Sequence, residues 1–369
     1  MGLSGRRVVE ERNSPRRLAE CIRSSYTAIL RTPAVRAQMA TDIVIPIPTE
    51  NRTAHVQPFY VGNRARFAFI SGVRWLSPTR LVAASLLGRR LYLIDLDLAG
   101  RTGEIIDALP TTMAGGQETI VDLVAASDAD HIFTSNCENS SVTRYRVAGD
   151  RLEYVTAVEF PAADGGYCHG VGVIPNRPDL VAATTTTGAC GVHFASLVGG
   201  ARPAVFREEG WRPSALMFRD DDVMVVAADR NTVSQSPFHH HHTKLSLVRV
   251  GFGGGEHIVL DELLLDAGTR VDSCHFHGPT LYLTDQAHDQ VMVFDTSGDR
   301  FRHLHDHGGF SFPHDVAVSD DGRWMAVANY GTNEIRVRPL APPQTAGTDA
   351  AGPDVAVIPP DASSASPAG

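Results

Sequence analysis

The 369-residue chain reads as an all-β protein, a six-bladed β-propeller. Three observations predict it. Short β-branched runs alternate with turn-forming residues along most of the chain. A unit of several such runs recurs every 42–58 residues. Within each unit, one polar residue stands at the start of the first run. The clearest copy is Ser311–Arg338, SFPHDVAVSDDGRWMAVANYGTNEIRVR, whose runs Val316–Val318, Trp324–Asn329 and Glu334–Arg338 are separated by Asp-Asp-Gly and Tyr-Gly-Thr-Asn. That pattern is the one consecutive antiparallel strands leave.

Taken in order, residues 1–40 differ from the rest. Eight Arg against three Glu make the segment basic, and Leu18, Cys21, Ile22, Tyr26, Ile29 and Leu30 recur at near-helical spacing after Ser14-Pro15. A short helical lead segment is expected there. Thr41–Val61 holds two extended stretches, IVIPIP and HVQPFYV, whose prolines confine them to sheet edges. The propeller itself is expected over residues 41–340. Its six units begin at Ser71, Asp122, His169, Ser214, Asp272 and His314. Their second strands close near Ser85, Asn136, Thr186, Asp229, Asp285 and Asn329.

A repeat of 40–50 residues with about four strands per unit is the mark of a propeller, each blade burying its faces against its neighbours. The pairs Val73/Trp75, Val124/Ala126, Val171/Val173, Leu216/Phe218, Cys274/Phe276 and Val316/Val318 fall on one face. Small residues such as Gly170, Gly172 and Ala125 lie on the other. The sixth unit has three strands and then Leu340-Ala-Pro-Pro, so its outer strand must come from Thr41–Val61, which closes the ring. Seven blades is the alternative, if residues 41–70 make a blade of their own. Residues 341–369, rich in Pro, Ala and Ser, cannot bury enough surface to order themselves. The fourth unit carries an insertion, Arg230–Thr243, with a run of four histidines, placed where it could shade the channel mouth.

Composition narrows the function. Hydrophobic content of 43% supports a sizeable core, and the net charge of −9 argues against nucleic acid or an anionic membrane as partner. No run of apolar residues is long enough to span a bilayer, and no signal peptide is evident. The five cysteines form no CxxC pair, so a reducing, cytoplasmic setting is expected. GxSxG, HExxH and GxxxxGK[ST] are all absent, and neither nucleotide nor PLP is expected. What remains is the ring of strand starts: Ser71, Asp122, His169, Ser214, Asp272 and His314, or Ser-Asp-His presented twice about a pseudo-twofold axis.

The segment VANYGTNEIRV resembles the repeat of YVTN-type and NHL-type propellers, and the ring is similar in placement to that of gluconolactonase-like enzymes. Such a resemblance implies metal ligands or acid–base groups at one channel mouth. It suggests a hydrolase or lyase acting on a small molecule, with a divalent ion (Ca, Mg or Zn) as the possible cofactor. The catalytic candidates are His169, His314, Asp122 and Asp272, with His169, His314 and Asp272 as metal ligands. The substrate-binding candidates are Ser71, Ser214, Asn136, Asp229, Asp285, Asn329 and Tyr330. This ring departs from the gluconolactonase pattern, since Ser71 stands where that family opens with Glu. A non-catalytic propeller that binds a protein or ligand on its top face is the alternative.

Overall fold

In a computed structural model of the chain, the described residues are 41–48, 70–113, 115–160, 166–230, 242–252 and 255–340, with 200–204 described by backbone alone. They form 24 strands, β1–β24 in chain order, in six four-stranded antiparallel sheets. The expected helix over 1–40, the tail 341–369 and the insertion residues 231–241 lie outside the described residues. No helix among the described residues is long and apolar enough to cross a membrane.

The innermost strands are β2 (Ile70–Ser77), β6 (Val121–Ala126), β10 (Cys168–Val173), β14 (Arg212–Phe218), β18 (Cys274–His277) and β22 (Pro313–Val318). Each contacts the next, and β22 contacts β2, so six blades close a ring. The core is divided accordingly. Six apolar clusters each span two consecutive blades, from Val124 against Leu91 and Leu93 in one to Val316 and Val318 against Val291 and Val293 in another. The six large-residue pairs read from the sequence all face the preceding blade. The small residues opposite them are required by close approach. A Cβ at Gly170 would lie 2.9 Å from the Ser214 carbonyl oxygen of the next blade.

Closure follows the sequence reading. Strand β1 (Ile43–Pro46) pairs antiparallel with β24 (Glu334–Pro339), Ile43 opposite Val337 and Ile45 opposite Ile335. Ile43, Ile45 and Ile47 are buried in the cluster between the first and last blades. Arg338 donates to both carboxylate oxygens of Asp42, at 2.9 and 2.8 Å, and both side chains are sealed from water. Asn333 adds a third clamp. Its side-chain oxygen accepts from the Ile70 amide and its nitrogen donates to the Ile47 carbonyl, both at 3.0 Å.

His303, His305 and His307 lie on β21 (Arg302–Gly308), where strict alternation would put all three on one face. A bulge in the pairing between Val293 and Phe294 breaks that alternation. His305 and His307 remain together, their Nε2 atoms 3.2 Å apart, whereas His303 meets Asp306 at 2.8 Å.

Candidate functional site

The ring geometry brings Asp122, His169, Asp272 and His314 to one point, because each starts its own innermost strand or stands just before it. The four side chains alternate. His169 Nε2 lies 3.3 Å from Asp122 Oδ2 and 3.8 Å from Asp272 Oδ1. His314 Nε2 lies 3.3 Å from Asp122 Oδ1 and 3.5 Å from Asp272 Oδ2. The two imidazoles stack with centroids 5.9 Å apart. The site is nearly closed to water: Asp122, Asp272, His314 and His169 are only 1%, 3%, 5% and 8% exposed.

Ser71 and Ser214 complete the ring in another capacity. Their hydroxyls donate to backbone carbonyls, that of Ser71 to Ala84 and that of Ser214 to Ala227 and Val271. Their own carbonyls accept from the histidines, His314 Nδ1 to Ser71 O at 2.9 Å and His169 Nδ1 to Ser214 O at 2.7 Å. A carbonyl only accepts, so each Nδ1 carries the proton and each Nε2 is turned toward the carboxylates. Neutral imidazoles would there set lone pairs against carboxylate oxygens. That arrangement calls for a proton or a cation between them.

The two carboxylates are supported differently. Asp122 Oδ2 accepts from the Tyr167 hydroxyl at 2.9 Å, and Asp122 Oδ1 is a buried oxygen with no hydrogen-bond partner. Asp272 Oδ1 faces the Arg270 guanidinium at 3.5 Å. Burial pushes the Asp272 carboxyl up, but Arg270, His314 and His169 together bring it below the ordinary carboxylate value. For His169, burial works against the charged form, while Asp122, Asp272 and the Ser214 carbonyl outweigh it and raise the imidazole above its usual value. Asp229 stands close enough to feel Arg270, Asp272 and His169, and burial lifts its carboxyl to about 6. Its Oδ1 accepts from the Thr243 hydroxyl at 2.6 Å.

Atoms of Asp122, His169 and His314 lie within 4.8 Å of one another, close enough to hold one metal ion. The sequence reading placed Asp272 in that set. The structure brings Asp122 against both imidazoles instead, while Asp272 stands further from His169 and is occupied by Arg270. Tyr330, a substrate-binding candidate of the sequence reading, stacks its ring on His314 at 4.9 Å.

The remaining candidates close turns. Asn136 donates to Ser141 and Thr143, Asn329 accepts from the Ser311 amide, and Asp285 accepts from His288, Gln290 and the Ala287 amide. Cys168 and Cys274, which flank the ring, are buried thiols pushed up to about 12 by that burial, so neither is a ready nucleophile. Two residues escaped the sequence reading, Tyr167 and Arg270. Each lies two positions before a ring residue, in the stretch that leads into the innermost strand. Carrying the ring back by two would have found them.

The insertion springs from this end of the fourth blade. Its flanks, Asp229 at the end of β15 (Val223–Asp229) and Thr243 at the start of β16 (Thr243–Arg249), pair with each other.

No protein-family profile matches the chain, and a search of curated proteins finds no match either. Solved structures do match. A chain of the mitotic checkpoint complex superposes with a TM-score of 0.52 at 12% identity, over 81% of this chain and 95% of that one. A chain of the hydrazine synthase of Kuenenia stuttgartiensis gives a TM-score of 0.50 at 14% identity, over 74% and 84%. At such identities the likeness is one of fold, and what this chain is shown to share with known proteins is the β-propeller architecture.

Proposed function

We propose that the chain is a small-molecule enzyme, a hydrolase or lyase, whose reacting centre is a divalent cation held by Asp122, His169 and His314. One observation carries this reading: two histidines locked by Nδ1–H bonds to Ser71 and Ser214 aim Nε2 at one carboxylate, which keeps an orphaned buried oxygen. Nδ1 bound to a backbone carbonyl is the outer-shell arrangement of metal-ligating histidines. Each imidazole Nε2 lies 3.3 Å from one Asp122 oxygen, that of His169 from Oδ2 and that of His314 from Oδ1, and the three residues could together hold an ion. Two nitrogen donors and one oxygen favour zinc or another first-row transition ion over calcium or magnesium. Such an ion would supply Lewis acidity and a water of lowered pKa.

This chain's own residues do the rest. Tyr167 orients Asp122, the serine carbonyls fix both tautomers, and Asp272 with Arg270 presents a second carboxylate kept ionised beside the histidines. The substrate is a small molecule entering at the mouth, and neither nucleic acid nor membrane is part of this reading.

The test is a zinc titration of metal-free protein, followed by turnover assays on ester, lactone and C–N substrates. One equivalent should bind in the wild type, and both binding and turnover should vanish in His169→Ala and His314→Ala while each still folds. Alanine variants that retain full turnover would overturn the assignment. Stoichiometric zinc without any turnover would leave a non-catalytic binding propeller.

A further inference from the structure

The histidines of β21 stand apart from the ring. Strand β21 is the outermost of the fifth blade, three strands away from the innermost strand β18 that Asp272 leads into. Its pairing sorts the three side chains. His305 lies opposite Val293 and His307 opposite Val291, so the two imidazoles share a face with those valines. On that face Val291 and Val293 pack against Val316 and Val318 of the sixth blade. The bulge between Val293 and Phe294 takes His303 out of the pattern, and its Nε2 meets Asp306 Oδ1 instead.

Within the pair, the two Nε2 atoms are 3.2 Å apart, while the ring centres are 4.8 Å apart and the planes cross at 84°. The nitrogens are closer than the centres, so the rings turn these atoms toward each other. Between two neutral imidazoles at most one N–H can lie on this line, and 3.2 Å is the long end of the hydrogen-bond range. An ion about 2.0–2.1 Å from each nitrogen reaches both at that spacing. Charge is compatible with such an ion. Burial, His305 and Arg338 outweigh Asp306 and hold the His307 imidazole down at about 4, which leaves it neutral at pH 7, the form that ligates metal. The charge of Arg338 is answered by Asp42 at 2.8 Å. His305 is exposed, which gives an ion its way in from solvent.

We infer that His305 and His307 form a separate surface metal site, a two-nitrogen chelate for a late first-row divalent ion that holds copper(II) most tightly. Imidazole nitrogen suits copper, nickel and zinc, and the affinity order of these ions peaks at copper(II). Water fills the rest of the shell. None of these atoms belongs to the centre of the proposed function, and the chelate stands whether or not that centre takes an ion.

Copper(II) is the probe, titrated calorimetrically into the full chain with His239–His242 replaced by glutamine, because that run offers imidazoles of its own. This parent should bind one tight equivalent that His305→Asn and His307→Asn both lack, each losing about a hundredfold in affinity as the chelate becomes a single ligand. The electron paramagnetic resonance spectrum of that equivalent should carry the splitting of two nitrogen donors. His303→Asn should bind as the parent does, and the exposed His305→Asn should melt with it. Copper uptake indifferent to His305→Asn would overturn the site. So would an equal loss in His303→Asn, which would make the three histidines a diffuse cluster. Copper held through His305 in a chain that takes up no zinc at Asp122 would uphold this site and remove the metal centre of the proposed function.

Discussion

Replacing Tyr167 by phenylalanine removes one hydroxyl from beside the proposed metal centre. That hydroxyl donates to Asp122 Oδ2 at 2.9 Å, and the ring that carries it lies against His169 with centroids 6.1 Å apart. Phenylalanine keeps the ring and therefore the position of His169. A hydrogen bond to a charged acceptor contributes about 1.5–3 kcal/mol. Since about 1.4 kcal/mol is tenfold in an equilibrium constant, the loss corresponds to roughly 10–150-fold in affinity. Outer-shell partners of metal ligands are generally worth about 10–100-fold, which agrees. The assay is zinc competition against a chelating dye, with the melting temperature in chelator as the control for folding. Tyr167→Phe should bind zinc 10–100-fold more weakly, and Asp122→Asn should not bind it stoichiometrically at all. A Tyr167→Phe variant within threefold of wild type would mean that Asp122 is not a ligand, and the metal assignment would fail with it.

The ring closure gives a stability prediction. Asp42→Ala leaves Arg338 as a buried, uncompensated charge, a change that costs about 3–5 kcal/mol and should lower the melting temperature by roughly 6–20 °C by calorimetry. The acid limb of stability has identifiable sources. Burial, His305 and Arg338 hold the His307 imidazole down at about 4, and burial, Arg74 and His277 hold His275 at about 3. The unfolded chain takes up protons near 6.5 that these folded groups refuse, so their contribution is complete above that pH and lost as pH falls through it toward 4 and 3. His169 has the opposite sign, its contribution complete below 6.5 and lost as pH rises through its higher folded value. Urea unfolding of His307→Asn between pH 4 and 7 should show a flatter acid limb than wild type. Finally, Cys168 and Cys274 should react with a disulfide reagent at pH 8 only after denaturation, because both thiols are buried and held near 12.

The repeat made the fold readable. Six copies of one unit, a sixth unit short of a strand and a proline-broken segment upstream were enough to place β1 beside β24. Position within the repeat also placed Asp122, His169, Asp272 and His314 together, since one ring gathers same-place residues round one axis. Position could not say what each residue does there. Ser71 and Ser214 are as well placed as the histidines, yet a short hydroxyl turns back to the strand, and only their carbonyls reach the site. Asn136, Asp285 and Asn329 stand at the ends of second strands, where a tight turn leaves loose amides that short polar side chains satisfy. Their place in the repeat is explained by the turn. The choice between Asp122 and Asp272 as ligand depends on Tyr167 and Arg270, whose effect is visible only once distances are known.

The pseudo-twofold ring begins alike in its two halves and ends unlike. Each half sets a serine carbonyl on a histidine and that histidine between two carboxylates. One carboxylate then receives a phenol, which is neutral, and the other an arginine, which is not. Arg270 answers the charge of Asp272, but among the described residues no arginine or lysine forms an ion pair with Asp122. With both imidazoles neutral and Asp229 ionised above about 6, the charge of Asp122 would be left unanswered in a site almost closed to water, a state that costs several kcal/mol. A proton on His169 removes it, and so does a divalent ion between Asp122 and the two Nε2 atoms. The first makes an acid and the second a Lewis acid. Because ligation requires the neutral imidazole, the two states exclude each other. The asymmetry of Tyr167 and Arg270 thus leaves Asp122 as the carboxylate in want of a positive partner, which is where the proposed function puts the cation.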